Sequence, residues 1–148
     1  MSVLAINKRA GFDYFITDKY EAGLVLTGQE VKSVKLGHLS LKESFVTVKG
    51  NELFLTNTHI SPYKHAGNLL GYNPTRPRKL LVKKSEIRHL TGKIKEKGLT
   101  LVPIRVYTKG RLVKLEFGIG KGKKQFDKRE DTAKKEARRS MERALKNS

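Results

Sequence analysis

Short strand-like segments separated by glycine-containing turns constrain the fold of this chain more than any other feature. Near the amino terminus, Tyr14, Ile16, Tyr20 and Ala22 occupy alternate positions. The side chains of a strand point alternately to its two faces, so these four would share one face. The pattern predicts a half-buried strand over residues 14–22.

Two pairs of such segments flank residues that favour tight turns, and each pair predicts an antiparallel hairpin. In the second pair, Pro103 cannot donate a ladder hydrogen bond, so it predicts an edge or a bulged position for its strand. The two hairpins comprise residues 45–48 and 52–56 around Gly50-Asn51, and residues 100–107 and 112–117 around Lys109-Gly110.

Helix signals are fewer than strand signals. Thr27 and Glu30 form a capping box that predicts a helix over residues 28–36. An apolar stripe closed by Gly98 predicts a second helix over residues 85–97.

A further strand is predicted over residues 78–84. If Leu80 points inward, the period of two places Lys79, Leu81 and Lys83 together on the outer face.

These elements predict a mainly β fold of about six strands with two or three short helices. Sequential hairpins with one inserted helix favour a small antiparallel β-barrel of the OB type, and a flat sheet capped by two helices is the alternative. The predicted domain comprises residues 1–120, and residues 121–148 form a basic C-terminal tail.

The tail carries 11 Lys/Arg against 5 Asp/Glu, a net charge of +6. Gly118, Gly120 and Gly122, placed among lysines, predict a flexible hinge before it. Asp127 with Glu130 predicts an N-cap and the start of a helix. The apolar stripe of that helix is thin, so we expect the tail to be disordered in the free protein and helical on a polyanion.

The charge of the whole chain narrows the classes of partner. The net charge is +18, which leaves +12 for residues 1–120, so the folded part is basic in its own right. Such a field attracts polyanions, most commonly nucleic acid. The sequence contains neither the pattern of a signal peptide nor an apolar run long enough for a membrane span. The expected location is the cytoplasm.

The residues offer little for catalysis. The acidic residues of the body are scattered, the histidines lack metal-ligand spacing, and cysteine is absent, so neither a cofactor nor a metal is expected. Tyrosines interleaved with Lys and Arg suit stacking on bases. Tyr63, in a polar loop over residues 61–76, suits stacking at least as well as packing. Glu21 could be a solvated carboxylate or a group that accepts hydrogen bonds from RNA, and its chemistry leaves both open.

Six motifs are spread over nearly the whole chain: Asn7-Lys8-Arg9-Ala10, Tyr14-Phe15-Ile16, Glu21-Ala22-Gly23-Leu24, Gly28-Gln29-Glu30-Val31-Lys32-Ser33, Asn73-Pro74-Thr75-Arg76-Pro77-Arg78-Lys79-Leu80-Leu81 and Lys121-Gly122-Lys123-Lys124-Gln125-Phe126-Asp127-Lys128-Arg129. Their order and spacing resemble the SsrA-binding protein family, also called small protein B. This family partners transfer-messenger RNA in bacterial ribosome rescue by trans-translation.

The resemblance implies a non-enzymatic, monomeric adaptor with an OB-type barrel that binds the tRNA-like domain of transfer-messenger RNA. It also implies that the tail enters the empty mRNA channel of the small ribosomal subunit, lined by 16S rRNA, and becomes helical there. Elongation factor Tu would be a partner through the charged RNA. The segment Asp127-Lys128-Arg129 matches a motif needed for accommodation, and Phe126 stands where some relatives carry a histidine that stacks on a decoding-centre base.

Carried across by position, the resemblance assigns Glu21, Leu81 and Lys83 to RNA binding, and further polar, basic and aromatic residues extend this set. The predicted transfer-messenger RNA-binding residues are Asn7, Lys8, Arg9, Tyr14, Glu21, Lys32, Lys35, Tyr63, Arg76, Arg78, Lys79, Leu81 and Lys83, and the predicted ribosome-binding residues of the tail are Lys121, Lys123, Lys124, Phe126, Asp127, Lys128 and Arg129.

Two other functions compete with this interpretation. A generic ribosomal or translation-factor protein of the OB type would also be basic with a mobile tail. An RNA-processing nuclease would need carboxylates that are distant in sequence to converge on a divalent metal.

Overall fold

The computed structural model describes residues 1–65, 67 and 70–146. Over these residues the chain is mainly β, with nine strands and four helices. In chain order they are β1 (Ser2–Ile6), α1 (Ala10–Asp13), β2 (Tyr14–Leu24), α2 (Gly28–Lys35), β3 (Leu39–Ser40), β4 (Phe45–Lys49), β5 (Glu52–Thr56), β6 (His59–Ile60), β7 (Arg78–Leu81), α3 (Lys84–Lys97), β8 (Thr100–Lys109), β9 (Leu112–Gly122) and α4 (Gln125–Lys146).

Seven of the strands form one antiparallel sheet in the order β1-β8-β9-β2-β7-β5-β4, and β3 pairs with β6 separately. The hydrogen-bonded ladder is open, with β1 and β4 at its two ends. The core covers one face of this sheet, and burying a large apolar side chain there contributes about 1.5–3 kcal/mol. Its fully buried members include Leu53, Leu55, Leu80, Leu90, Leu115 and Phe117.

Elements with a strong local signal lie close to their predicted positions. Both halves of the Thr27–Glu30 capping box are present, and α3 ends at Gly98, whose φ is +61°. The register of β8 shifts between Pro103 and Arg105, which confirms the bulged position of Pro103. The alternative edge position is wrong, because β8 lies between β1 and β9.

Three strands are absent from the sequence prediction. β1 is a nearly continuous apolar run, so it lacks the alternation that identifies a half-buried strand. β3 and β6 contain two residues each, which is too short for any period. In the other direction, β9 continues to Gly122, two residues past the predicted domain boundary.

The predicted flexible hinge at Gly118, Gly120 and Gly122 is wrong, because all three residues belong to β9 and pair with β2. A Cβ on Gly118 would lie 2.7 Å from Ile16 Cγ2, and one on Gly120 would lie 2.8 Å from Val102 Cγ2. Real Cβ contacts of that length essentially do not occur. These two positions are therefore glycine because neighbouring side chains pack directly onto the strand, and not because the chain bends there.

Helix α4 begins at Gln125, so Asp127 is the third helical residue and not the predicted N-cap. Its carboxylate accepts a hydrogen bond from the backbone N–H of Lys124 at 3.2 Å, which satisfies one free donor at the start of the helix. None of the described residues of α4 is buried. The disorder of the tail in the free protein stays a prediction. Among the residues described, no helix is both long and apolar enough to cross a membrane.

Candidate functional site

The outer face of the sheet brings Glu21 and Leu81 together. Gly23 of β2 pairs with Leu81 of β7, and Glu21 lies two residues before Gly23 on the same face. A Cβ on Gly23 would lie 3.4 Å from Leu81 Cβ, so a larger residue would press on the leucine. Leu81 is 58% exposed, which is unusual for a leucine in a strand and suits contact with a partner.

Glu21 is held in place by a residue from a distant strand. The hydroxyl of Tyr107 on β8 donates to the Glu21 carboxylate, and Lys109 Nζ lies 3.5 Å from its other oxygen. The hydrogen bond from Tyr107, opposed by desolvation and assisted by Lys109, lowers the pKa of Glu21 below its usual value. An ionised carboxylate can accept about four hydrogen bonds, so Glu21 retains acceptor capacity for a ligand.

Tyr107 is buried, with only 3% of its surface exposed. Burial, the hydrogen bond to Glu21 and the nearby negative charge together raise the pKa of the Tyr107 hydroxyl. It therefore stays protonated and serves as a permanent donor to Glu21. The sequence analysis missed this contact, since 86 residues separate the two partners.

A shallow cavity of about 310 Å³ opens beside Glu21 on this face. Arg105 lies over the ring of Tyr107, with its guanidinium 4.9 Å from the ring centroid, and forms an ion pair with Glu116 at 3.3 Å. A cationic rim around a carboxylate attracts phosphates while offering an acceptor to base amino groups and ribose hydroxyls. We call this surface the Glu21 face; it comprises Lys19, Glu21, Lys79, Leu81, Arg105, Tyr107, Lys109, Lys114 and Glu116.

The predicted cations of β7 differ in their surroundings. Lys79 is exposed on the Glu21 face and pairs with Glu52 at 3.2 Å, an exposed contact that leaves its charge available. Lys83 is also exposed, but β7 ends at Leu81 and Lys83 is the N-cap residue of α3.

A second group of predicted residues lies on α2 and the loop after β6. Lys32 Nζ lies 5.4 Å from the centroid of the Tyr63 ring, and His65 meets the same ring edge-on at 5.4 Å. Lys35 is exposed in the last turn of the same helix. The half-buried Tyr63 ring thus has a cation and an aromatic neighbour, the surroundings in which a base can stack.

Arg78 is 0% exposed, so the prediction that it lies on the surface among the RNA-binding residues is corrected. Its Nε and Nη2 donate to Glu30 Oε2 at 2.9 and 2.6 Å, and its Nη1 donates to the carbonyl oxygen of Thr58 at 2.6 Å. Arg76 donates to the other oxygen of Glu30 and is about one-third exposed. In this structure Arg78 ties β7 to α2.

A third group lies around α1 and at the start of β2. Asn7 Nδ2 donates to the carbonyl oxygen of Pro103 at 2.8 Å, and Arg9 pairs with Asp13 at 3.2 Å. Tyr14 packs against Gly120, while Lys8 is exposed. These residues border a cavity of about 720 Å³ between the β1–α1 segment and the β3–β4 segment.

The predicted tail residues divide by what they touch. Phe126 is 74% exposed, and Lys121, Lys124 and Arg129 are exposed as well. Lys123 and Lys128 instead contact the body, through Gly11 and Asp13 respectively. Within the part of the chain that the structure describes, no group of three or more His, Asp or Glu side chains could hold a metal ion.

Comparisons with known proteins identify relatives along nearly the whole chain. A family described as "SmpB protein" matches residues 4–147. The SsrA-binding protein of Carboxydothermus hydrogenoformans is 52% identical over 144 residues, covering 97% of this chain and 96% of that protein. The SsrA-binding protein of Anoxybacillus flavithermus is 53% identical, covering 97% of this chain and 93% of that protein.

A solved structure agrees with these relatives. A chain from the work "tmRNA-SmpB: a journey to the center of the bacterial ribosome" is 44% identical, with a TM-score of 0.66, and the match covers 81% of this chain and 84% of that chain.

Proposed function

This chain belongs to the SmpB protein family, and from that membership we propose that it binds transfer-messenger RNA and delivers it to stalled ribosomes. The observation that carries the proposal is about 50% identity, over 97% of the chain, to proteins named for binding SsrA. It acts as an adaptor in the cytoplasm, while the peptidyl-transfer chemistry belongs to the ribosome and the charging of the RNA to a synthetase.

The Glu21 face is the proposed contact surface for the tRNA-like domain. Glu21 supplies the acceptor, Leu81 supplies the apolar contact, and the surrounding Lys and Arg side chains attract the phosphates. The proposed framework is an OB-type barrel. β4 lies close to β8, although the two strands are not hydrogen-bonded neighbours. This closeness supports a sheet that curves towards a barrel.

The tail has a separate role in this proposal. It enters the empty mRNA channel of the small subunit, where its exposed Lys and Arg side chains meet ribosomal RNA and the exposed Phe126 stacks on a base. Elongation factor Tu takes part through the charged RNA. None of the described residues of α4 is buried, which supports a segment that is completed by a partner.

A titration of the full chain against the isolated tRNA-like domain tests the proposal, with bulk ribosomal RNA as competitor. We expect preference for the tRNA-like domain and a log–log salt slope of about −0.7 for each neutralised single-strand phosphate. A variant that ends at Gly122, where β9 ends, should retain most of the affinity. Equal affinity for both RNAs would favour a generic ribosomal protein, and divalent-metal-dependent cleavage would favour a nuclease.

Glu21→Ala should weaken binding of the tRNA-like domain by about 1.5–3 kcal/mol, the cost of losing a hydrogen bond to a charged group. That loss corresponds to roughly tenfold to a hundredfold in affinity. The matched control is Asp18→Ala, which removes an exposed carboxylate of the same strand that pairs with Lys93. Isothermal titration of both variants, beside their melting temperatures, gives the answer. If the affinity stays unchanged, the role of Glu21 is structural, as the acceptor for Tyr107 and Lys109.

A further inference from the structure

Tyr107 contacts two oppositely charged side chains on the Glu21 face. Its hydroxyl donates to the Glu21 carboxylate, and the guanidinium of Arg105 lies over its ring. Strand pairing explains why these groups meet. Arg105, Glu116 and Glu21 lie side by side across β8, β9 and β2. Tyr107 follows Arg105 by two positions, so both side chains lie on the same face of β8.

Tyr107 itself has little freedom to move. It pairs with Val3 of β1 on one side and with Lys114 of β9 on the other, and it is buried. The side chains of Glu21 and Arg105 are 38% and 30% exposed, so both reach solvent. Two charged side chains at the surface are thus held by a buried one. Their conformational freedom is already lost on folding and is not lost again when a partner binds.

Both held groups keep hydrogen-bonding capacity for a partner. Glu21 is ionised and has acceptor sites beyond those that Tyr107 and Lys109 use. Within the part of the chain that the structure describes, the buried Nε of Arg105 has no hydrogen-bond acceptor, although Glu116 Oε1 lies 3.3 Å away. The ion pair therefore orients the guanidinium without using up its planar set of donors. Both groups line the cavity of about 310 Å³.

We propose that Tyr107 is a positioning residue for RNA binding, because it holds the Glu21 carboxylate and the Arg105 guanidinium as a preformed acceptor and donor at this cavity. Glu21 accepts from an N–H or O–H group of the RNA, and Arg105 binds a phosphate. Tyr107 acts through these two neighbours and does not itself contact RNA. The RNA contact rests on the proposed function, whereas the positioning belongs to the free protein.

An NMR titration of the Glu21 carboxyl carbon tests the positioning without RNA. The charged and titratable groups around Glu21 are Tyr107, Arg105 and Lys109 on β8, Lys114 and Glu116 on β9, Lys19 on its own strand and the amino terminus of Met1. The hydrogen bond from Tyr107 is the largest cause that lowers the pKa of Glu21. Tyr107→Phe removes this bond and leaves the charges in place, so the pKa of Glu21 should rise.

The control is Tyr72→Phe, which removes the hydroxyl of another half-buried or buried tyrosine. The Tyr72 hydroxyl donates to the carbonyl oxygen of Ile60 at 2.8 Å, and its loss should leave the pKa of Glu21 as in the parent. An unchanged Glu21 pKa in Tyr107→Phe, or an equal rise in Tyr72→Phe, would overturn the positioning.

Affinity for the tRNA-like domain tests what the positioning does for binding. Tyr107→Phe should bind about threefold to tenfold more weakly than the parent, because the freed Glu21 carboxylate must be ordered when RNA arrives. In a Glu21→Ala background, Tyr107→Phe should cause no further loss, since the group that it positions is gone. Equal losses in both backgrounds would show that Tyr107 does not act through Glu21. Unchanged affinity in Tyr107→Phe would overturn its role in binding.

Arg105→Met tests the donor. It should reduce the log–log salt slope of binding by about 0.7, the contribution of one single-strand phosphate. The matched control Arg88→Met removes the same charge from an exposed position on α3, outside the Glu21 face, and should keep the slope of the parent. A parent-like slope in Arg105→Met would remove Arg105 from the RNA contact. If the parent itself fails to bind the tRNA-like domain, the proposed function fails, and the NMR titration still decides whether Tyr107 holds Glu21.

Discussion

Glu30→Ala should lower the free energy of unfolding by about 3–5 kcal/mol, the usual cost of removing one partner from a buried ion pair. Glu30 is 1% exposed and Arg78 is 0% exposed. Without the carboxylate, the Arg78 guanidinium keeps only the Thr58 carbonyl oxygen and the Tyr72 hydroxyl, at 2.6 and 3.3 Å. An unpaired buried charge is one of the few causes of so large a loss. Denaturant unfolding of the parent and of Glu30→Ala measures this loss of stability.

The matched control is Glu52→Ala, which breaks the exposed pair with Lys79 and should cost less than about 1 kcal/mol. A second variant, Glu30→Met with Arg78→Met, removes both charges and fills similar volume. It should be more stable than Glu30→Ala, because a buried pair replaced as a whole leaves no charge behind. If Glu30→Ala and Glu52→Ala lose similar stability, the Glu30–Arg78 pair is not what holds β7 to α2.

The same pair predicts a pH dependence. Burial raises the pKa of Glu30, but the hydrogen bonds from Arg76, from the Thr27 N–H and from Arg78 lower it more, so it lies below its ordinary value of 4.5. The stabilisation is complete above that ordinary value and is lost as the pH falls through the folded-state pKa. Between neutral pH and strong acid, the parent should therefore lose more stability than Glu30→Ala does.

Tail variants should abolish peptide tagging while leaving the affinity for transfer-messenger RNA nearly intact. Asp127→Ala removes the acceptor for the Lys124 N–H, and the loss of this one hydrogen bond costs the start of α4 about 0.5–1.5 kcal/mol. Lys128→Ala with Arg129→Ala removes one contact to Asp13 and one exposed cation. Neither change touches the Glu21 face, the proposed RNA-binding surface, so binding and tagging should separate.

The control for the double variant is Lys134→Ala with Arg138→Ala, which removes the same charge further along the helix. Phe126→His should be tolerated because either ring can stack, whereas Phe126→Ala should slow accommodation. RNA binding and tagging are measured on the same preparations. Parallel losses of RNA binding and of tagging would contradict the separation of body and tail. If the control is as defective as the double variant, the charge of Lys128 and Arg129 matters and their position in the motif does not.

Features that depend on neighbours in sequence were predictable. The Thr27–Glu30 capping box spans three residues, and Gly98 ends α3 through its own left-handed φ. The alternation of Tyr14, Ile16, Tyr20 and Ala22 placed Glu21 on the outer face, since the period of a strand is two. The resemblance to a family was also a property of sequence alone.

The tertiary structure decided which side chains meet. Glu21 and Tyr107 are 86 residues apart, Glu30 and Arg78 are 48 apart, and Lys123 and Gly11 are 112 apart. No local pattern encodes these pairs, because a long side chain reads the same in sequence whether its partner is water, RNA or a distant strand. Arg78 and Lys123 were therefore assigned to partners outside the chain, although strand pairing and burial give both to the protein itself.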